Sequence, residues 1–461
     1  MDATPGPRGR AALALLPRLQ RDPLGLLTSL MAEYGDRVRV PSVGGHLVFV
    51  LARPDDVAHV LVANQGNYVK APTYRPLKEL LGDGLLTNEG DGWARQRRLV
   101  QPMFARRNLL GFGPAMLGAA ADMLSGWAAA PPDTVFDMAG QMSALTLDVV
   151  GRTLFSSDLT GEAGGMAPAL ETVLVAYMRV VRNPLFWLVP NFERWPTPSR
   201  RRAWRAETHL REVVDRIIAA RRAEPPVDRP ADLLDMLLSA RDESPAAEPA
   251  RPRGDGDMTE QQVRDELMTF MLAGHETTAN ALAWTLFLLS THPEARDRLA
   301  AEVDEVLAGR PPATEDADKL EWTSAVVSES MRLYPPAWII ERQPVADDAL
   351  GSLRIPPGSI VITAPYLVHR NPEHWPNPEV FDPGRFLPAA SAGRHRFAYL
   401  PFGGGRRQCV GSGFATLEAI LLLAAITQRF RCDLVPGARP VPRPSVTLRP
   451  DGAIPMTVHP R

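Results

Sequence analysis

A mainly α chain with a small β region is the fold class this sequence predicts, and three observations predict it. Thr259-x-x-Gln262 is a capping box, and the stretch it opens runs without proline to about Thr291, ahead of Pro293. At 1.5 Å per residue such a helix is roughly 50 Å long, enough to span a domain. Residues 105–222 read as mostly helical. The β signals are short and lie towards the two ends of the chain, each centred on a Gly-containing turn.

Composition narrows the class. The chain has 461 residues, 45% of them hydrophobic, and a formal net charge of −2, which gives no global basic excess for nucleic acid. Cys409 and Cys432 are the only cysteines, so a disulfide framework is excluded and a reducing cytoplasm fits best. The apolar run Ala11–Pro17 is far short of the roughly 20 residues a membrane helix needs, and no cleavage site follows it. The expectation is a soluble protein of the cytoplasm with no membrane span, a monomer organised as one domain over 1–461.

Taken in order, residues 1–30 are a Pro/Arg-rich lead-in with a short amphipathic helix. Arg37–Val40 and His46–Leu51, about Gly44-Gly45, read as a β-hairpin, and Pro54 opens a helix. Residues 68–90 are expected to be irregular, broken by Pro72, Pro76, Gly82, Gly84 and Gly90. Trp93 and Arg97 share one face of the next helix, being four apart. Residues 177–190 interrupt the helical region with an exposed-looking apolar patch. Residues 241–257 have no apolar period and read as a flexible loop.

The capped helix carries apolar Val263, Leu267, Phe270, Met271, Leu282, Leu286 and Leu289, yet Ala273-Gly274-His275-Glu276-Thr277-Thr278 interrupts it. Burying a carboxylate and hydroxyls there is costly unless something uses them. His275 alone is more often a packed side chain than a ligand. Beyond it, Glu329 and Arg332 lie three apart on one helical face. Val446–Leu448 and Ile454–Val458 flank Asp451-Gly452 and read as a second hairpin, and Cys432 reads as a strand residue without chemistry.

The most informative stretch is Pro401-Phe402-Gly403-Gly404-Gly405-Arg406-Arg407-Gln408-Cys409-Val410-Gly411, followed at once by an apolar helix. A thiolate is a soft ligand for iron, and glycines let backbone amides turn towards the sulfur. A helix N-terminus beyond it favours the anion further. Taken alone, Cys409 is better read as a buried free cysteine than as a ligand.

The spacing Phe402-x-x-Gly405-x-Arg407-x-Cys409-x-Gly411 resembles the haem-ligand signature of the cytochrome P-450 family at every fixed position. Four further segments resemble that family in the expected order: Trp93-x-x-x-Arg97, Ala273-Gly274-x-Glu276-Thr277, Glu329-x-x-Arg332 and Phe381-x-Pro383-x-Arg385-Phe386. The likeness, closest to soluble bacterial members, implies a cytochrome P-450 fold with haem b (iron protoporphyrin IX) between a long distal helix and a proximal cysteine loop. Cys409 would be the iron ligand, in a loop that includes Phe402 and Gly411. Arg407, Trp93, Arg97 and Arg342 would hold the propionates. Ala273 and Gly274 would face the haem closely, and Gly274 can open the local hydrogen-bond ladder. Thr277 would hold water there and Glu276 would relay protons. Glu329, Arg332 and Arg385 would form a buried network beneath the loop.

The same resemblance places Leu85, Leu86, Phe186, Ala337, Trp338 and Ile339 along a substrate pocket. It implies a monooxygenase that puts one atom of O2 into a C–H or C=C bond of a small hydrophobic molecule, a terpenoid, polyketide or other secondary metabolite. Electrons would come from a ferredoxin and ferredoxin reductase on separate chains, docking near Arg95, Arg98, Arg394, Arg396 and Arg406; a solvated charge run accounts equally well for any one of these. Two rivals stay open: a peroxide-driven enzyme of the same fold, and a haem sensor or carrier without turnover. The intact Glu276–Thr277 pair favours oxygen activation over both.

Overall fold

The computed structural model describes residues 5–9, 15–41, 46–155, 160–223, 232–240 and 258–461. The Gly44-Gly45 turn and the 241–257 loop lie outside the described residues. The main helices are α1 (Arg75–Leu81), α2 (Gly90–Val100), α3 (Arg106–Ala129), α4 (Met138–Phe155), α5 (Thr160–Val181), α6 (Pro198–Ala223), α7 (Glu260–Thr291), α8 (Pro293–Leu307), α9 (Glu321–Leu333) and α10 (Ser412–Arg429).

Helix α7 begins where its capping box requires: the Thr259 hydroxyl accepts from Gln262 N, and the Gln262 side chain accepts from Thr259 N. Val263, Leu267, Met271, Leu282 and Leu286 are buried along it, packed with α3, α4, α9 and α10 in the larger of two cores. Each such side chain contributes about 1.5–3 kcal/mol of burial, which offsets a helix whose polar middle does not stabilise it.

The smaller core lies under a five-stranded sheet. Strands β1 (Arg37–Pro41), β2 (Leu47–Leu51), β3 (Tyr68–Lys70), β5 (Ile340–Pro344) and β8 (Ile360–Thr363) run in the order β1-β2-β8-β5-β3. The pairing β1–β2 is antiparallel, with Val38 opposite Val50, as the hairpin reading predicts. Between β5 and β8 lie β6 (Asp348–Leu350) and β7 (Leu353–Ile355), paired with each other.

The fold departs from the sequence reading at three places. Residues 75–81 are helical rather than irregular: Pro76 sits in the first turn, where no N–H is needed, and Gly82 ends the helix at φ +68°. Buried carboxylates of α7 then fix the segment just beyond this helix. Asp265 accepts from Asp83 N at 2.9 Å, and Glu266 from Leu85 N at 3.1 Å. Second, the short strand β4 (Val135–Asp137) carries too little β pattern to be expected.

Third, the C-terminal hairpin forms between different partners. Strand β11 (Leu448–Pro450) pairs with β10 (Pro442–Pro444), with Ser445-Val446-Thr447 at its tip. Strand β12 (Pro455–Pro460) pairs instead with β4 and with β9 (Phe430–Leu434), which carries buried Cys432. Asp451-Gly452 does form a turn, with Gly452 at φ +89°, but it redirects the chain to another sheet.

Candidate functional site

The cysteine loop depends on glycine at two points. Gly403 and Gly405 adopt φ of +70° and +68°, and a Cβ on Gly405 would stand 1.8 Å from the Leu61 carbonyl oxygen. Cys409 N donates to Phe402 O at 2.9 Å and closes the loop. The Gly411 amide donates to the cysteine sulfur and draws its pKa down, while burial, the larger effect, pushes it up. Cys409 nonetheless presents accessible surface. A side chain both accessible and desolvated lines an internal cavity.

On the long helix α7 the accessible position is Ala273. It is exposed in the middle of a helix whose neighbours Met271 and Leu282 are fully buried. Contacts connect the two sides: Phe104 stacks edge-on against Phe270 at 5.7 Å and lies 3.6 Å from where a Gly411 Cβ would be. Thr277 donates to Ala273 O at 2.7 Å. Glu276 is partly buried, and desolvation raises its pKa against the pull of the Thr447 hydroxyl and Arg449. Thr447, at the tip of the β10–β11 hairpin, also accepts from Asn280 Nδ2 at 3.1 Å. His275 is packed, as read, with Nδ1 3.1 Å from Met271 O.

The Gly274 expectation takes a different form. Helix α7 is α-helical throughout, and a Cβ on Gly274 would meet Val150 of α4 at 3.2 Å. This glycine permits close packing of two helices. Thr146 strengthens the same contact by donating to His275 O at 3.0 Å.

Three cations converge beside the loop. Arg407 donates to Asn88 O at 2.7 Å and Glu89 at 2.5 Å, and its guanidinium lies 3.9 Å from the Trp93 ring centroid. Burial, with Arg342 adding repulsion, pushes its pKa down to about 10. Arg342 of β5 stands opposite Lys70 of β3 in register. Burial, then Arg407 and Arg342, hold the Lys70 ammonium well below the usual lysine range. Arg97 turns elsewhere, donating to Gln408 O at 2.8 Å beside the cysteine. Nothing in the sequence around Lys70 singles it out; only its strand pairing with Arg342 reveals it.

The supporting network forms as expected, with a fuller set of partners. Glu329 and Arg332 are both 0% exposed and joined by two bonds of 2.7 and 2.8 Å, and Arg385 Nε stands 3.6 Å from Glu329. Arg332 also donates to the carbonyls of His369, Pro378 and Val380. His369 accepts from Leu400 N at 2.9 Å, and Tyr399 donates to Ser328 O at 3.0 Å. The route runs from α9 through 369–382 to the residues entering the cysteine loop.

The pocket residues divide. Leu86, Ala337 and Ile339 keep partial exposure, and Leu85 is tied down by Glu266. Phe186 is 1% exposed beneath the Arg75 guanidinium, and Trp338 is 6% exposed with its indole on Ser445 O. Both are core residues rather than open wall, because packing on all sides leaves no face for a ligand. Among the expected docking arginines, Arg98, Arg396 and Arg406 are exposed. Arg394 is instead stacked on Trp375 at 4.2 Å and Phe386 at 5.1 Å.

A glycine-shaped cysteine loop joined to a long core helix through Phe104 and Phe270, with three cations beside it, is the arrangement of the haem-thiolate class. The model of the cytochrome P450 family matches residues 5–454. The chain is 38% identical over 458 residues to cyclooctatin synthase of Streptomyces melanosporofaciens, covering 99% of this chain and 95% of that one. Cyclooctat-9-en-7-ol 5-monooxygenase of the same organism is 36% identical over 96% of this chain and 92% of its own. Pentalenene oxygenase of Streptomyces avermitilis is 33% identical, over 92% and 90%. The chain belongs to the cytochrome P450 family and is a monooxygenase of that family.

The family implies a haem iron, and the residues present fit one. Three mutually repelling cations, with Glu89 the one carboxylate in an ion pair with them among the described residues, suit a group that brings two carboxylates of its own. Among the described residues no helix is long and apolar enough to cross a membrane.

Proposed function

We propose that this protein hydroxylates a terpenoid-like hydrophobic molecule, using O2 and electrons from a separate ferredoxin and ferredoxin reductase. The observation that carries the reading is Ala273 exposed opposite an accessible Cys409, with Thr277 and Glu276 one turn away. Similarity to relatives named for cyclooctatin and pentalenene supports a terpenoid substrate. One of those names specifies an alcohol as the molecule oxygenated.

In this reading Cys409 ligates the iron of haem b as thiolate, supported by the Gly411 amide and the start of α10. Lys70, Arg342 and Arg407 pair with the propionates, and Trp93 supports Arg407 from below. Arg97 rigidifies the loop at Gln408. When bound, the haem supplies the oxidation of the C–H bond, with thiolate donation favouring O–O cleavage. The chain's own share is positioning and protons. Thr277 holds a water on the Ala273 face, and Glu276 feeds that water a proton, oriented by Thr447. Leu86, Ala337 and Ile339 hold substrate against that face.

Arg98, Arg396 and Arg406 supply positive charge where an acidic ferredoxin would dock. The test is turnover of a terpenoid panel with a surrogate ferredoxin and reductase under labelled O2. Labelled alcohol is expected. Product formed only when peroxide is supplied would favour the peroxide-driven alternative, and binding without product the sensor.

A further inference from the structure

A second polar cluster lies apart from the Glu276–Thr277 pair and has no task in proton delivery. Thr73, in the 3₁₀ turn Pro72–Tyr74, donates its hydroxyl to Glu341 Oε2 at 2.6 Å. Thr73 is 2% exposed, whereas Glu341 retains accessible surface. Burial nevertheless raises the Glu341 pKa, with Thr73 and Arg342 pulling it back. Accessible yet desolvated is the condition that marks Cys409 as a cavity wall. The second carboxylate oxygen, Oε1, forms no hydrogen bond or ion pair among the described residues.

Tyr177 of α5 lies close enough to feel the Glu341 charge. It too is only partly buried, and its phenol is held well above the usual tyrosine range by burial first and the Glu341 charge second. Its hydroxyl is therefore a donor, and it forms no hydrogen bond among the described residues. The Thr73–Glu341 bond thus leaves one free acceptor oxygen, and the Tyr177 phenol, within reach of the Glu341 charge, is one free donor among the described residues. Tyr177 and Leu86 pack against the larger core and Ile339 against the smaller one, and all three keep partial exposure.

An aliphatic alcohol is the group that satisfies both, because a hydroxyl gives one proton and accepts another. Water alone would do so too, but a desolvated carboxylate discriminates strongly between substrates with and without a partner for it. We infer that Glu341, Tyr177 and Thr73 form a hydroxyl-binding subsite, so that the substrate is a hydrophobic terpenoid-like molecule already carrying an alcohol. The inference rests on the function proposed above and narrows it. It also places the protein after a step that installs oxygen: a cyclisation ending in capture of water, or an earlier oxygenation. The subsite orients the skeleton by its existing hydroxyl, and the new one is introduced at a carbon held over Ala273.

The test uses matched triplets of hydrocarbon, alcohol and methyl ether on cedrane and labdane skeletons, titrated into the holoprotein and read as displacement of iron-bound water in the Soret region. The alcohol is expected to bind at least tenfold more tightly than its hydrocarbon and its ether, which keeps the oxygen but not the proton. Glu341→Leu should abolish that preference while holding or improving hydrocarbon affinity. Glu341→Gln should retain part of it, and an unchanged carbon monoxide band certifies the fold of each variant. Equal affinity across the triplet, or a preference that survives Glu341→Leu, overturns the subsite alone. No displacement by any skeleton overturns the terpenoid reading with it.

Discussion

Thr277 donates its hydroxyl to the Ala273 carbonyl one turn back, at 2.7 Å, so the proton-bearing oxygen sits at the step of α7 that faces the cavity. The bond is intrahelical and exchangeable, because a carbonyl with two lone pairs keeps its place in the helical ladder when the hydroxyl rotates away. Thr277→Ala should therefore leave folding, carbon monoxide binding and substrate binding intact. Product per reduced cofactor should fall, by at most about 10²–10⁴-fold, with hydrogen peroxide rising to match. Wild-type coupling in both Thr277→Ala and Glu276→Gln would refute the relay.

Burial raises the Glu276 pKa, and the Thr447 hydroxyl at the hairpin tip lowers it. Removing that hydroxyl leaves the raised value higher still. Thr447→Val is expected to move the pH midpoint of coupling efficiency upward, with substrate affinity nearly unchanged. An unmoved midpoint with reduced stability would make Thr447 a packing residue only.

Lys70, Arg342 and Arg407 repel one another in the absence of anions. Arg407→Ala and Arg342→Ala should each weaken haem retention by about 1.5–3 kcal/mol, roughly 10- to 100-fold in affinity. The haem-free Arg342→Ala protein should be no less stable, since one of three like charges has gone, whereas Arg407→Ala also loses the Glu89 pair and the Trp93 stack. Loss of stability without loss of haem affinity would count against the assignment.

Glu418 of α10 is 0% exposed, and neither of its oxygens has a hydrogen-bond partner among the described residues. The nearby Thr278 hydroxyl misses hydrogen-bond geometry to it, so the carboxyl is unpaired among the described residues. Burial pushes Glu418 up to about 8 from an ordinary 4.5. A carboxyl whose folded value is raised contributes full stability below its unfolded pKa and loses it as pH climbs through the folded one. Thermal stability should thus decline between about pH 4.5 and 8, and Glu418→Gln should flatten that decline. Parallel pH profiles for the two proteins would show that the carboxyl is not buried as described.

Local interactions were legible in the sequence, and distant ones were not. The α7 capping box and the Glu329–Arg332 pair are set by spacings of three residues, and both appear as read. The glycines around Cys409 mark backbone that only glycine adopts, and φ of +70° and +68° is what the structure has. Lys70, by contrast, acquires its role from Arg342, far along the chain, through one rung of a sheet. Thr447 and Thr73 look like ordinary turn residues until Glu276 and Glu341 arrive. The hairpin error has the same origin, since Asp451-Gly452 signals a turn without saying which strand β12 will join. Phe186 and Trp338 read as pocket wall from their place in the chain, whereas burial is decided by the whole fold.

Thiolate ligation by Cys409 is the claim on which the rest depends, and one spectrum tests it. The purified holoprotein, reduced and exposed to carbon monoxide, should show the strongly red-shifted Soret band of a thiolate-ligated haem. Cys409→Ser should lose that band, and Cys432→Ser, altered at a buried position in β9, should keep it. A Soret band at the shorter wavelength typical of histidine ligation, or a red-shifted band that survives Cys409→Ser, would contradict the account.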